Sequence, residues 1–391
     1  MSAQSILVVG AGAFGLTAAL ELQARGWRVT VLDQGRVPHP DAASNDISKV
    51  VRMDYGDDEL YAEMGEQAID GWQKWNAEWR QNLFHHDGFL LMTRDEVMPA
   101  DGFEAVSFRT LQRRGHPLRR IDRATLAREF PQWNAAAYGD GYFNARAGWV
   151  ESGAVVTKLA ELALARGITL HENAPLAGFL ESGSAVVGVR TTAGVEFRAD
   201  QVLLAAGAWT NFLVPELGAQ LCATGHAVLH FQPRNPQEFR APSFPVWAAD
   251  IARTGWYGFP ANAAGLVKVG HHGLGAAILS ADQTRVVSAE MVARCRAFLR
   301  ETFPALAEAP LAATRQCWYS DSLNGDFLID HHPRRPGLMV AAGDSGHGFK
   351  FAPVLGALVA DGVERKENPW AKRFRWRDAT LLGREQSRSE V

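Results

Sequence analysis

The first 33 residues constrain the fold more than any other part of the chain. Ser5 to Val9 (SILVV) is a short apolar run of the kind that forms a strand buried on both faces. Gly10-Ala11-Gly12-Ala13-Phe14-Gly15 follows at once, then an apolar-periodic stretch to Arg25, with Gly26 placed as a helix C-terminal cap. Trp27 to Leu32 (WRVTVL) predicts a second strand, and Asp33 stands at its end, 18 residues after Gly15. The order strand, glycine turn, helix, strand, acid is that of a dinucleotide-binding βαβ unit. Gly10 permits the tight turn, Gly12 lets the backbone approach a pyrophosphate, and Gly15 lets the helix lie close to the strand. Free N–H groups at the helix start then face the phosphates. Asp33 is placed to accept from a ribose hydroxyl, which disfavours a 2′-phosphate.

Further pieces of the same kind are scattered along the chain. Ser152 reads as an N-cap for a helix carrying Val155, Val156, Leu159, Leu162 and Ala163, which Gly167 ends before a strand from Ile168 to His171. Residues 185–208 predict a hairpin around Ala193-Gly194 and a buried strand from Val202 to Ala206 that closes on Gly207. A last apolar strand, Leu338 to Ala342, runs into Gly343-Asp344-Ser345-Gly346-His347-Gly348 and a helical pattern through Val363. Between them lie two stretches of different texture, rich in Arg, Phe, Trp and Pro. The expected organisation is therefore α/β: a Rossmann-like nucleotide domain of 1–81, 147–215 and 319–391, interleaved with an α+β substrate domain of 82–146 and 216–318 built on a mixed, largely antiparallel sheet. The charged tail NPWAKRFRWR is expected to pack on the surface. In a nicotinamide dehydrogenase the binding half is usually continuous. Here it is interleaved over the whole length, and GDSGHGFKF precedes a helix start whose dipole suits a flavin edge that becomes negative on reduction. FAD is the better fit.

Composition removes other classes. Forty Lys plus Arg against 43 Asp plus Glu give a net charge of −3, with no basic excess to bind a phosphate backbone, so no nucleic-acid partner is expected. Cys222, Cys295 and Cys317 lie far apart, which excludes a disulfide framework or a CxxC knuckle. No stretch approaches 18 apolar residues, and no basic segment precedes the first apolar run, so a cytoplasmic, unanchored protein is expected. Adjacent histidines (His85-His86, His271-His272, His331-His332) point to opposite faces of a strand, and no metal is expected. His347 stands where a nucleophile elbow would need its last glycine.

Six segments in order resemble the glycine-oxidase and D-amino-acid-oxidase superfamily of FAD enzymes, within it the branch of monomeric sarcosine oxidase and the fructosyl amino acid oxidases. They are GAGAFG at 10–15, SNDISKVVR at 44–52, YGFP at 257–260, GLVKVGHH at 265–272, CWY at 317–319 and SGHGFKF at 345–351. The likeness implies a cofactor set of Gly10, Gly12, Ala13, Phe14, Gly15, Asp33, Ser44, Ser48, Lys49, Ala206, Gly207, Cys317, Gly346, His347, Gly348 and Lys350. Cys317 matches the cysteine that carries FAD covalently through the flavin 8α-methyl. Lys268 falls at the oxygen-activating lysine, where a cation stabilises charge developing on dioxygen. Its apolar neighbours Leu266, Val267 and Val269 make it costly to bury, which argues for a role. Arg52 and Lys350 match the two cations that hold a substrate carboxylate, a bidentate arginine and a point-charge lysine. His272, Tyr257 and Tyr319 resemble pocket residues.

Lys49 departs from sarcosine oxidase, which has an arginine there, and sits closer to the fructosyl amino acid oxidases. It is either a base that takes the amine proton or a cation contacting the flavin. The resemblance implies a monomeric oxidase that takes a small amino-acid-like secondary amine to an imine and reduces O2 to H2O2. The alternatives are a fructosyl amino acid oxidase, a dehydrogenase passing electrons to another acceptor, and a flavin-binding protein without turnover.

Overall fold

The computed structural model describes residues 3–95 and 101–377. Ser5–Val9 is buried throughout because it lies in the middle of a six-stranded sheet, flanked by Arg28–Leu32 and Gln201–Leu204. The full order is Leu328–His331, Leu338–Ala342, Gln201–Leu204, Ser5–Val9, Arg28–Leu32 and Thr169–His171. Every pairing is parallel except that of Leu328–His331, which runs antiparallel at one edge. The register sets Val8 opposite Val31 and Leu203, and both faces of the sheet are covered: Leu7, Val9 and Val202 turn away from the helices into a second core with Val186 and Val189 of a three-stranded antiparallel sheet. Helices Ala13–Ala24, Ser152–Ala165 and Ala352–Val363 pack one core with Ile6, Val8 and Val31.

The glycine turn is fixed by sterics. Gly10 has φ +107°, and a Cβ there would stand 2.3 Å from the Ala205 carbonyl oxygen. At Gly15 a Cβ would reach 1.8 Å from the Gly10 carbonyl oxygen and 3.3 Å from Val8. The close approach that needs Gly15 is thus chiefly between the helix and the turn itself.

The second sheet has nine strands, in the order Ala276–Ile278, Leu221–Phe231, Val267–His271, Trp256–Gly258, Val246–Ala249, Phe89–Thr93, Asp140–Asn144 and Arg119–Arg120, with Leu311–Ser322 also pairing Leu221–Phe231. It is antiparallel apart from the Val246–Ala249 and Phe89–Thr93 pair. This is the α/β architecture with a mixed, largely antiparallel second sheet. Leu311–Ser322 continues unbroken past residue 318. Among the described residues two smaller sheets complete the fold, one joining Lys49–Val51 to Gly148–Val150 and Phe84–His85.

Two local expectations are corrected. Ser152 is not an N-cap: it is the first helical residue, and its buried hydroxyl donates to the Asp46 carbonyl at 2.9 Å. The tail does not only lie on the surface, because Trp370 and Phe374 enter the first core and Arg373 pairs with Asp58 and Asp326. Residues 378–391 lie outside the described residues. Among the described residues no helix is long and apolar enough to cross a membrane.

Candidate active site

The alternation of a strand builds one wall of the site. Val267 and Val269 point into the hydrophobic core of the second sheet, so Lys268 between them faces the other way. His230 is directly opposite Lys268 in the register, and His226 is opposite Cys317. Residues two apart share a face, which adds Arg315 and Tyr319 to the same side, and Tyr257 reaches over Gly270 from the next strand. One face thus gathers Lys268, His230, His226, Cys317, Tyr319 and Tyr257. The segment carrying Ser44, Lys49 and Arg52 and the loop Gly346–Lys350 line the cavities beside that wall.

Two adjoining cavities result. The larger, about 270 Å³, starts on the glycine turn and is lined by Gly10, Gly12, Ala13, Phe14, Asp33, Ser44, Ala206 and Gly207. It ends at Lys49, Tyr319, Gly346 and Phe349, which also line the smaller cavity of about 60 Å³. Arg52, Tyr257, Lys268, His272, His347 and Lys350 complete that second space. Four expected site residues line neither. Gly15 supports the turn, and Gly348 packs where a Cβ would meet Asp344 and Phe14 at 2.9 Å. Ser48 turns its carbonyl, not its hydroxyl, to Lys268. Cys317 is buried beside Tyr319, Val228 and the cavity-lining Ala43.

The larger cavity fits a flavin dinucleotide on the chemistry of its walls. It runs from a helix start, where Ala13 N–H donates to Ser44 Oγ at 3.0 Å, past an acid, to a wall of mixed aromatic and cationic groups. Asp33 also pins the turn, accepting from Ala11 N–H at 2.8 Å and Gly35 N–H at 3.0 Å, one on each oxygen. Each oxygen keeps a second lone pair for a ribose hydroxyl. Burial raises the Asp33 carboxyl above its usual range against these two bonds.

In the smaller cavity the cations are held by partners that sequence reasoning missed. Lys350 donates to Tyr55 Oη and the His347 carbonyl, both at 2.8 Å. His347 Nε2 lies 2.9 Å from the Gly325 carbonyl, so it carries the proton, and Nδ1 accepts from the Tyr55 hydroxyl at 3.0 Å. Arg52 and Lys350 meet over the same Tyr55 ring, at 4.8 and 5.2 Å from its centre. Asp54 lies behind Arg52 and accepts from Tyr142 Oη at 2.7 Å and Asn144 Nδ2 at 3.2 Å, and burial raises its carboxyl. Burial raises the Tyr257 phenol, and its hydrogen bond with Tyr319 works against that rise. Lys268 is fully buried, with Nζ 2.6 Å from Asp46 Oδ2 and 2.5 Å from the Ser48 carbonyl. Burial pulls its ammonium down to about 8, against the attraction of Asp46. Among the described residues no three His, Cys, Asp or Glu side chains gather as a metal ion would require.

The FAD-dependent oxidoreductase family matches residues 5–362. The chain belongs to that family. This FAD-dependent oxidoreductase is 29% identical over 359 residues to N-methyl-L-tryptophan oxidase of Salmonella arizonae, covering 91% of this chain and 93% of that protein. The protein of the same name from Citrobacter koseri is 27% identical over 365 residues, covering 92% and 95%. Among solved structures, fructosamine oxidase (Amadoriase II) of Aspergillus fumigatus superimposes with a TM-score of 0.84 at 26% identity, over 100% of this chain and 95% of the other. Fructosyl peptide oxidase from E. terrenum shares the fold, with a TM-score of 0.85 at 21% identity, over 98% and 96%.

Proposed function

We propose that this FAD-dependent oxidoreductase is an oxidase of N-substituted amino acids, taking the C–N bond of a secondary amine to an imine. The observation that carries the reading is the smaller cavity, where Arg52 and Lys350 meet over one ring and no described lining residue is acidic. Such a pocket selects a carboxylate. Bound FAD supplies the redox chemistry: two electrons and two protons leave the substrate C–H and N–H and reach O2 as H2O2, and water then hydrolyses the imine.

In this reading Gly10, Gly12, Asp33 and Ser44 hold the dinucleotide, and Cys317 holds the flavin covalently, supported by its place beside Ala43 and Tyr319. Arg52 and Lys350 grip the carboxylate. Lys49, which lines both cavities, meets the reacting amine or the flavin edge, and Tyr257, Tyr319 and His272 bound the space around it. Lys268 stabilises negative charge on oxygen. The remaining wall includes Val50, Phe89, Ala248, Ile251 and Phe259, which suits an apolar or aromatic group and offers a polyol few partners. That favours N-methyl amino acids with apolar side chains, a choice supported by the likeness to N-methyl-L-tryptophan oxidase. The fructosyl reading draws on Lys49 and on the likeness to fructosamine oxidase. The two-domain division at 1–81, 147–215 and 319–391 against 82–146 and 216–318, and a cytoplasmic monomer, belong to the same proposal.

A peroxide assay over N-methyl-L-tryptophan, sarcosine, other N-methyl amino acids, fructosyl amino acids and the matching amines without a carboxylate tests it. Turnover should be highest for N-methyl amino acids with apolar side chains. Equal turnover of carboxylate-free amines overturns the substrate class, and flavin reduction without peroxide overturns the oxidase assignment.

A further inference from the structure

A lysine buried in a strand needs a counter-charge, and Lys268 has one 222 residues away in sequence. Asp46 Oδ2 lies 2.6 Å from Nζ, and both side chains are only 2% exposed. The carboxylate is itself held rigidly. Its backbone carbonyl accepts from the Ser152 hydroxyl and the Gly153 N–H, both at 2.9 Å, at the start of a helix. Ile47 N–H donates to Oδ1 at 2.7 Å, and His230 Nε2 stands 3.4 Å from the same oxygen. Arg315 ties the preceding loop to the sheet through the Asn45 and Ala42 carbonyls. The ammonium lies 4.8 Å from the centre of the Phe259 ring, on the wall of the smaller cavity.

We propose that Asp46 is a positioning residue for dioxygen reduction: it fixes the Lys268 ammonium at the cavity wall and supplies the counter-charge that lets a lysine stay cationic there. This rests on the oxidase reading above. The groups that bear on the pair come from every element packed against it: Lys49 from the segment that carries Asp46, His230 and Lys268 from facing strands, Arg315 and Cys317 from the next, and Tyr257 beyond. Burial works against the Asp46 carboxylate, but Lys268 first, then His230, Lys49 and Arg315, hold it well below the usual range. It is therefore an anion throughout the working range. For Lys268, burial is the largest influence and Asp46 the chief opposition to it, so removing Asp46 lowers the pH at which the ammonium is lost.

The test uses the holoenzyme and its Asp46→Asn and Asp46→Glu variants, with lysine labelled at Cε by 13C. Lys268 is assigned by the resonance missing from Lys268→Met. Its titration should move down by at least ~1 pH unit in Asp46→Asn and stay within about half a unit of wild type in Asp46→Glu. In stopped flow, reoxidation of the reduced enzyme by O2 at pH 7.5 should slow by about threefold or more in Asp46→Asn, the loss of charged lysine that a downward shift of ~1 pH unit gives there, with its fall at high pH displaced by the same amount as the titration. Anaerobic reduction by substrate should change much less. An unmoved lysine titration in Asp46→Asn overturns the proposal and leaves the oxidase reading standing. If Asp46→Asn does not fold, a Glu variant whose titration or pH limb is displaced by more than a unit overturns it instead. A wild-type reduced flavin that O2 does not reoxidise overturns the oxidase reading and this proposal together, a pattern the first result cannot produce.

Discussion

Replacing Lys350 by Met removes one charge from the smaller cavity while keeping an unbranched stem of similar length in a buried channel. Lys350 is 3% exposed, and its ammonium already spends donors on Tyr55 Oη and the His347 carbonyl. A charge-assisted bond to a substrate carboxylate in such a place is worth about 1.5–3 kcal/mol. The Kd of a carboxylate ligand should therefore rise by roughly 10- to 150-fold. Some stability is lost as well. Tyr55 still donates to His347 Nδ1 and loses only a bond it accepted, but the His347 carbonyl loses a donor at a cost of about 1–3 kcal/mol. The assay is titration of the flavin absorbance with an unreactive N-alkyl amino acid analogue, repeated with the same molecule lacking its carboxylate. Arg52→Met gives the second arm, and the double variant should lose less than the two single losses added, because both cations grip one group. Both single variants binding the carboxylate ligand within about twofold of wild type, with flavin retained, would refute the clamp.

Four other outcomes follow from the same structure. Acid-precipitated wild type should stay yellow with a mass one FAD above the sequence mass, and Cys317→Ser should release its colour into the supernatant; an adduct surviving in that variant removes the cysteine link. Lys268→Met should slow reoxidation by at least ~100-fold with little effect on reduction. Because the buried ammonium titrates near 8, it is charged below that pH and neutral above, so wild-type reoxidation should hold at lower pH and fall as pH rises through about 8. Gly10→Ala, at φ +107° with its Cβ 2.3 Å from the Ala205 carbonyl oxygen, should cost more than ~2 kcal/mol in chemical denaturation of the apoprotein, and equal midpoints would show that the turn relaxes.

How legible a feature is in the sequence follows from how local its cause is. Ser5–Val9 and Leu338–Ala342 are continuous apolar runs because both faces of the sheet are covered, and a reader of the residues places them to the residue. Strand alternation likewise turns Lys268 away from Val267 and Val269, so its direction follows from its own neighbours. Tyr55 gives no such signal. Its hydroxyl meets His347 292 residues on and Lys350 295 residues on, and nothing within several residues of it records that meeting. Ser152 misleads for the same reason. A serine before an apolar-periodic stretch is what a cap looks like, yet its hydroxyl is taken by the Asp46 carbonyl across the interior.

Asp46 is the instructive case, since its trace in the sequence is indirect. A lysine between Val267 and Val269 is expensive to bury, and that cost is reason to assign it a function. The same cost demands an anion. An uncompensated ammonium in a dry strand would give up its proton, so a lysine that works as a cation implies a carboxylate within contact distance. The choice among 43 acidic residues cannot be made from periodicity, but it narrows to those flanked by apolar or cofactor-facing positions, and Asp46 lies inside the Ser44–Arg52 segment already assigned to the flavin. Asking each buried charge for its partner shows from the sequence that Lys268 needs an acid and makes Asp46 one candidate; the choice of Asp46, and its anchoring at the helix start of Ser152 and Gly153, come from packing.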